Sequence, residues 1–159
     1  MAGKVTHVTD LNWHLPHIGA AMGLSEAFVS DCLKDGRSAV FFVTRKLATT
    51  LPGFGLVPSA QVKHALTDAR GVWAVKCIST HGVDISKSKM RGVGRTFNQA
   101  EFEKMLAQLA GFFMADIVDF PRVPVWQINK EAIQTELKRR NTLGAAISRN
   151  EILHWLKNS

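Results

Sequence analysis

Between residues 72 and 128 the hydrophobic pattern changes period twice, and that change constrains the fold more than any other feature of the chain. VWAVKCIST (72–80) is a run of strand-forming residues interrupted by one cation, Lys76. Phe102, Met105, Leu106 and Leu109 then recur at the spacing of a single helix face, opened by Asn98 and Glu101 in the manner of a capping box and closed by Gly111. FFMADIVD (112–119) and VPVWQI (123–128) return to strand character around a turn at Phe120-Pro121-Arg122. With the flanking segments, the order is helix, several strands, helix, two strands and helices. The chain is therefore expected to be an α/β or α+β domain, a mixed β-sheet flanked by helices.

The flanking segments add helices and one more strand. PHIGAAMGLSEAFVSDCLK (16–34) has helical periodicity with a break at Gly23, and Ser25 can cap a second helix. Asp35-Gly36 looks like its end, and SAVFFVTRKL (38–47), rich in β-branched and aromatic residues, predicts a strand. LPGFGLVPS (51–59) predicts a turn and loop, 60–67 a short strand, and 81–96 a polar connection. Helices are expected over 130–140 and 149–157, the second capped by Ser148. Neither a repeat nor a low-complexity linker divides the 159 residues, so a single domain, 1–159, is expected.

A hydrophobic share of 46% against 21% charged residues suits an ordinary globular core. No run approaches the roughly 18 uncharged apolar residues of a membrane span, and MAGKVTHVTD lacks the apolar centre of a signal peptide. These features predict a soluble, cytoplasmic protein. Cys32 and Cys77 have no metal-ligand spacing and fit a reducing compartment as small apolar side chains. The formal net charge of +7 says more, because surplus Lys and Arg attract polyanions, and nucleic acid is the first such partner.

Three constellations could carry that interaction. In IGAAMGLSEAFVSDCL, Ala20 and Ala21 precede Gly23 while Val29 and Leu33 follow at helical spacing, as in a helix-turn-helix or in any helical hairpin. Its second helix would offer Glu26, Asp31 and only Lys34 to a phosphate backbone. ISKSKMRGVGRTF (85–97) holds Lys87, Lys89, Arg91 and Arg95 with no acid between them, and is either a phosphate-contacting loop or a solvated basic one. It is not a Walker loop, since no glycine run ends in Lys-Ser or Lys-Thr. The third constellation is Lys76 with Asp68 upstream, in TDARGVWAVKC. Hydrolysis of a phosphodiester on Mg²⁺ needs carboxylates for the metal and a lysine against the developing charge, and a strand places residues i and i+2 on one face. A carboxylate at position 74 would stand beside Lys76, but that position is Ala74. Lys76 could equally lie on an open sheet face with its amine in water.

The order of these segments resembles the restriction-endonuclease-like nucleases, whose signature is PD-(D/E)XK. A helix bearing Glu26, a strand over 38–47, the loop LPGFG, the strand WAVKCIS at the place of the (D/E)XK element, a basic connection, a helix and a strand pair ending VPVWQI span most of the chain. By this resemblance Lys76 takes the place of the catalytic lysine, Asp68 that of the metal-binding aspartate, and Glu26 that of an auxiliary carboxylate, with Mg²⁺ as cofactor. Position 74 departs from the signature. The chain is then an active nuclease with a migrated carboxylate, a DNA-binding relic or an inactivated variant, and an acid restored at 74 is expected to create or strengthen cleavage. The resemblance implies double-stranded DNA as partner, contacts from Lys87, Lys89, Arg91 and Arg95 with Arg45 and Lys46 behind them, a homodimer if a palindrome is cut, and a bacterial or phage-like cytoplasmic setting.

Overall fold

The computed structural model describes residues 3–57, 64–85, 99–140 and 146–159. Fourteen elements follow one another along these residues: β1 (Val5–Leu11), α1 (Leu15–Met22), α2 (Glu26–Leu33), α3 (Gly36–Thr50), β2 (Gly55–Leu56), β3 (Ala65–Asp68), β4 (Gly71–Ile78), β5 (Val83–Asp84), α4 (Gln99–Ala107), β6 (Gly111–Asp116), β7 (Val123–Asn129), α5 (Lys130–Arg140), β8 (Ala146–Ile147) and α6 (Arg149–Asn158). Six strands form a sheet in the order β1-β7-β6-β4-β3-β2, and β5 pairs with β8 separately. The neighbours in the large sheet run antiparallel except β4 and β6, which are parallel and are joined through α4. The mixed sheet flanked by helices is as expected.

Alternation along the strands sends side chains to two cores. Trp73, Val75, Phe113, Ala115, Val123 and Val125 pack under α2 and α3, with Val29, Val40, Val43 and Leu47. Ala74, Ile78, Phe112, Met114, Trp126 and Ile128 pack under α4, α5 and α6, with Phe102, Leu106, Ile133 and Ile152. Because β6 is covered on both faces, all six of its residues are buried, which is why its sequence is continuously apolar up to Asp116.

The structure corrects the expectation for 38–47: this segment is helix, the middle of α3. Val40, Val43, Thr44 and Leu47 recur at helical spacing and are all buried, so packing of that face overrides the strand preference of the β-branched residues. Asp35 does not end α2; its side chain caps α3 by accepting a hydrogen bond from the Arg37 amide at 3.0 Å. The hairpin of α1 and α2 turns at Gly23, whose φ of 67° is the left-handed conformation that glycine adopts without strain. Four strands lie where none was expected, among them β5 in the polar connection after β4 and β8 just before α6. β1 occupies the polar N-terminal stretch and β2 the Pro/Gly segment after α3. β1 is an edge strand whose register shifts between His7 and Thr9, so its side chains alternate too irregularly to show a strand pattern. Residue 98 lies outside the described residues, whereas the Ser148 capping box on α6 is formed in full.

Candidate nucleic-acid interface

Lys76 lies in the second half of β4 with its Cα opposite Met114 of β6. Strand alternation puts it on the same sheet face as Ala74 and Ile78, the face covered by α4, α5 and α6. Asp116 is on that face too, one pleat further along β6, beyond the C-terminal half of the parallel pair. It is 5% exposed, and its carboxylate accepts from Arg149 Nη2 at 2.9 Å and from the Val118 amide at 3.3 Å. This ion pair holds the first turn of α6 against the end of β6. Open α/β sheets place their ligand crevices at such strand ends.

Asp68 is elsewhere. It faces Gly71 at the tip of the β3–β4 hairpin, whereas Lys76 is five residues further along β4, about 16 Å at strand rise. The cross-strand partner of Asp68 places it with Trp73 on the opposite face of the sheet. Burial pushes its pKa up, but the Trp73 indole N–H at 2.9 Å and the side chain and amide of Arg70 outweigh that and hold it below the usual carboxylate range. The Arg70 guanidinium also lies 4.7 Å from the centre of the Trp73 ring. Asp68 therefore locks the hairpin tip, and it does not meet Lys76. Glu26 stands exposed in the first turn of α2.

Ala74 is 7% exposed and belongs to the core under α4 to α6. An acid placed there would be buried among Ile78, Phe112 and Phe102, so Ala74→Glu is expected to destabilise the fold before it could serve a metal. All Asp, Glu, His and Cys residues of the sequence fall within the described residues, and no group of three of them stands close enough to hold a metal ion. The Asp68 and Glu26 side chains named for Mg²⁺ by resemblance do not assemble a metal centre.

Cys32 is exposed, and Cys77, on the other face of β4, is half-buried; desolvation of its thiol pushes the pKa up to about 12 against a smaller opposing effect of Lys76. Lys87, Lys89, Arg91 and Arg95 lie outside the described residues. Arg45 and Lys46, expected at the end of a strand, are on α3, with Arg45 exposed and the Lys46 ammonium 4.8 Å from the centre of the Trp13 ring. The α1–α2 hairpin has helix-turn-helix connectivity, yet α2 exposes Glu26 and Asp31.

Many of the described cations are neutralised within the fold. Arg70 pairs with Asp68, Arg122 with Asp10, Arg149 with Asp116, and Arg139 and Arg140 both with the buried Glu136. The last group lines a groove between α5 and α6 with His154, Trp155 and Asn158, and its charges are already matched. The Arg139 hydrogen bond, opposed by burial and helped by the charges of Arg139 and Arg140, holds Glu136 below the usual carboxylate range. A folded-state value below the unfolded one contributes stability above the ordinary glutamate pKa, and that contribution is lost as pH falls through the folded value. Glu136→Gln is thus expected to lower the melting temperature at neutral pH and to flatten its decline below about pH 4, as measured by thermal denaturation across pH. A variant with the wild-type acid limb would show that Glu136 does not link protonation to folding.

Asp116, Arg149 and the exposed ring pair Phe41 and Phe42 on α3 stand outside the three constellations of the sequence. Asp116 had a visible signal, as the single acid interrupting an otherwise apolar strand. No protein-family model, curated protein or solved structure matches the chain.

Proposed function

We propose that this protein binds double-stranded DNA on a restriction-endonuclease-like core and holds the duplex without a metal centre of its own. The observation that carries this reading is a run of cations with no acid among them in the sequence. The acid-free tract 85–97, with its four cations, runs between β5 and α4, and α4 leads back to the start of β6. In chain order the tract thus falls between the C-terminal end of β4 and the helix that returns to the start of β6. The core reading is supported by element order: helix α3, the antiparallel run β2-β3-β4, crossover helix α4, then β6 parallel to β4. The order departs from the resemblance at 38–47, which was expected as a strand and is the middle of α3.

Chemically, the long cations of the tract would release counterions from backbone phosphates. No hydrolytic step follows from these groups, because Asp68 is engaged by Arg70 and Trp73 and Glu26 stands exposed on α2. Binding should weaken linearly with the logarithm of salt. Replacing Lys87, Lys89, Arg91 and Arg95 together by Gln is expected to lower duplex affinity and reduce the slope by roughly 3–4, at about 0.9 per phosphate contact. Fluorescence anisotropy of a labelled duplex over a salt series checks it. An unchanged slope in the quadruple variant would overturn the reading.

A further inference from the structure

The outward face of α3 has the residues of a stacking surface. Its buried side presents Val40, Val43, Thr44 and Leu47 to the sheet, and its opposite side exposes Arg37, Ser38, Phe41, Phe42, Arg45 and Thr49. Phe41 and Phe42 are 54% and 52% exposed, on a helix that had apolar space available only on its other side. Arg37, Phe41 and Arg45 succeed one another at four-residue intervals, so a cation lies one turn to each side of the ring along the same stripe. The fifteen residues of α3 include no Asp or Glu. The Asp35 carboxylate at its N-terminus is engaged by the Arg37 amide, and neither guanidinium is in an ion pair among the described residues. His64, with a left-handed φ of 56°, sets its ring edge-on to Phe41 at 4.3 Å between centroids and braces it from the side of β3.

We infer that this face binds unpaired bases of single-stranded DNA, with Phe41 and Phe42 stacking on bases and Arg37 and Arg45 on the phosphates to either side. The inference rests on the reading of DNA as partner and adds a second contact surface, on the sheet face opposite Lys76. Charge selects the occupant. A second copy of the chain docking by two-fold symmetry would bring Arg37 and Arg45 against their own equivalents, a like-charge contact with no acid on α3 to relieve it. An apolar peptide would cover the rings and leave the guanidinium groups unmatched. Duplex DNA keeps its bases stacked inside, whereas a single strand offers π-faces and phosphates together.

The test compares the affinities of a labelled short oligothymidylate, an abasic strand of equal length and a duplex by anisotropy, with wild-type protein, the Phe41→Leu/Phe42→Leu double variant and the Arg37→Gln/Arg45→Gln double variant. Leu keeps the surface apolar and removes the π-face, and exposed positions of this kind change stability little, which circular dichroism verifies. The Phe variant is expected to lose roughly 10- to 100-fold in affinity for oligothymidylate and nothing for the abasic strand or the duplex. The Arg variant is expected to weaken both single strands. Unchanged oligothymidylate affinity in the Phe variant, with duplex binding intact, overturns the inference and leaves the DNA-binding reading standing. Failure of the wild-type protein to bind any of the three removes both. Should the Phe variant convert a dimer into a monomer in light scattering without altering oligothymidylate affinity, the face is a contact between copies and the inference falls.

Discussion

Arg149→Ala is expected to cost about 3 kcal/mol of stability, the lower end of the 3–5 kcal/mol typical of breaking a buried pair. The Asp116 side chain is 7% exposed, and its strong partner is Arg149 Nη2 at 2.9 Å, with a longer 3.4 Å contact to Nε. Without the guanidinium, a carboxylate closed in by the sheet and α6 keeps one amide, that of Val118 at 3.3 Å. Arg149 itself is 26% exposed, so water already screens part of the attraction, and this places the loss at the lower end. Urea denaturation measures it. The double variant Asp116→Leu/Arg149→Met should recover most of the loss, because apolar residues of similar volume remove both buried charges together. Additive losses in the two single variants and the double variant would show that the pair is not coupled, and with that the anchoring of α6 at the end of β6 would have to come from packing alone.

Gly111→Ala is expected to be the more damaging change, at least about 3 kcal/mol and roughly 6–12 °C in melting temperature. Gly111 opens β6 between Trp73 of β4 and Asn129 of β7. A Cβ there would overlap the Ile128 carbonyl oxygen and meet the Trp73 ring at 2.7 Å and the Asn129 Cα at 2.8 Å. Two of these three are backbone atoms in the centre of the sheet, where no rotamer change can make room. In sequence the same glycine is simply the residue that closes a helix, and it does follow α4; its second task, admitting β7 and Trp73 to close approach, depends on strands that are distant along the chain. A variant with wild-type thermal stability would mean that β6 and β7 can separate locally at this point without cost.

Much of the sheet could be inferred from the chain because its central strands are buried on both faces. β4, β6 and β7 are long apolar runs, and between β4 and β6 the stripe Phe102, Met105 and Leu106 marks the crossover helix. The edges were not legible. β1 pairs on one side only, across a shift of register, and β2 has two residues in a Pro/Gly segment. α3 was misread because one set of residues, Val40, Val43, Thr44 and Leu47, satisfies β-propensity by type and helical period by spacing. Asp35, which decides between the two as an N-cap, looks in isolation like a chain break.

The candidate site divides along the same line. The surplus of positive charge, the acid-free tract with Lys87, Lys89, Arg91 and Arg95, and the absence of a carboxylate two residues before Lys76 are properties of composition and order, and the sequence alone determined them. Which groups share a space was decided by the tertiary structure. Asp68 and Lys76 are eight residues apart in sequence, yet a hairpin turn and the two-residue alternation of strands put them on opposite faces, while Asp116, forty residues from Lys76, reaches the face of Lys76 one pleat further on through a parallel pairing. Spacing along one strand fixes which face a side chain takes relative to its neighbours. Only the register between strands fixes what it meets there.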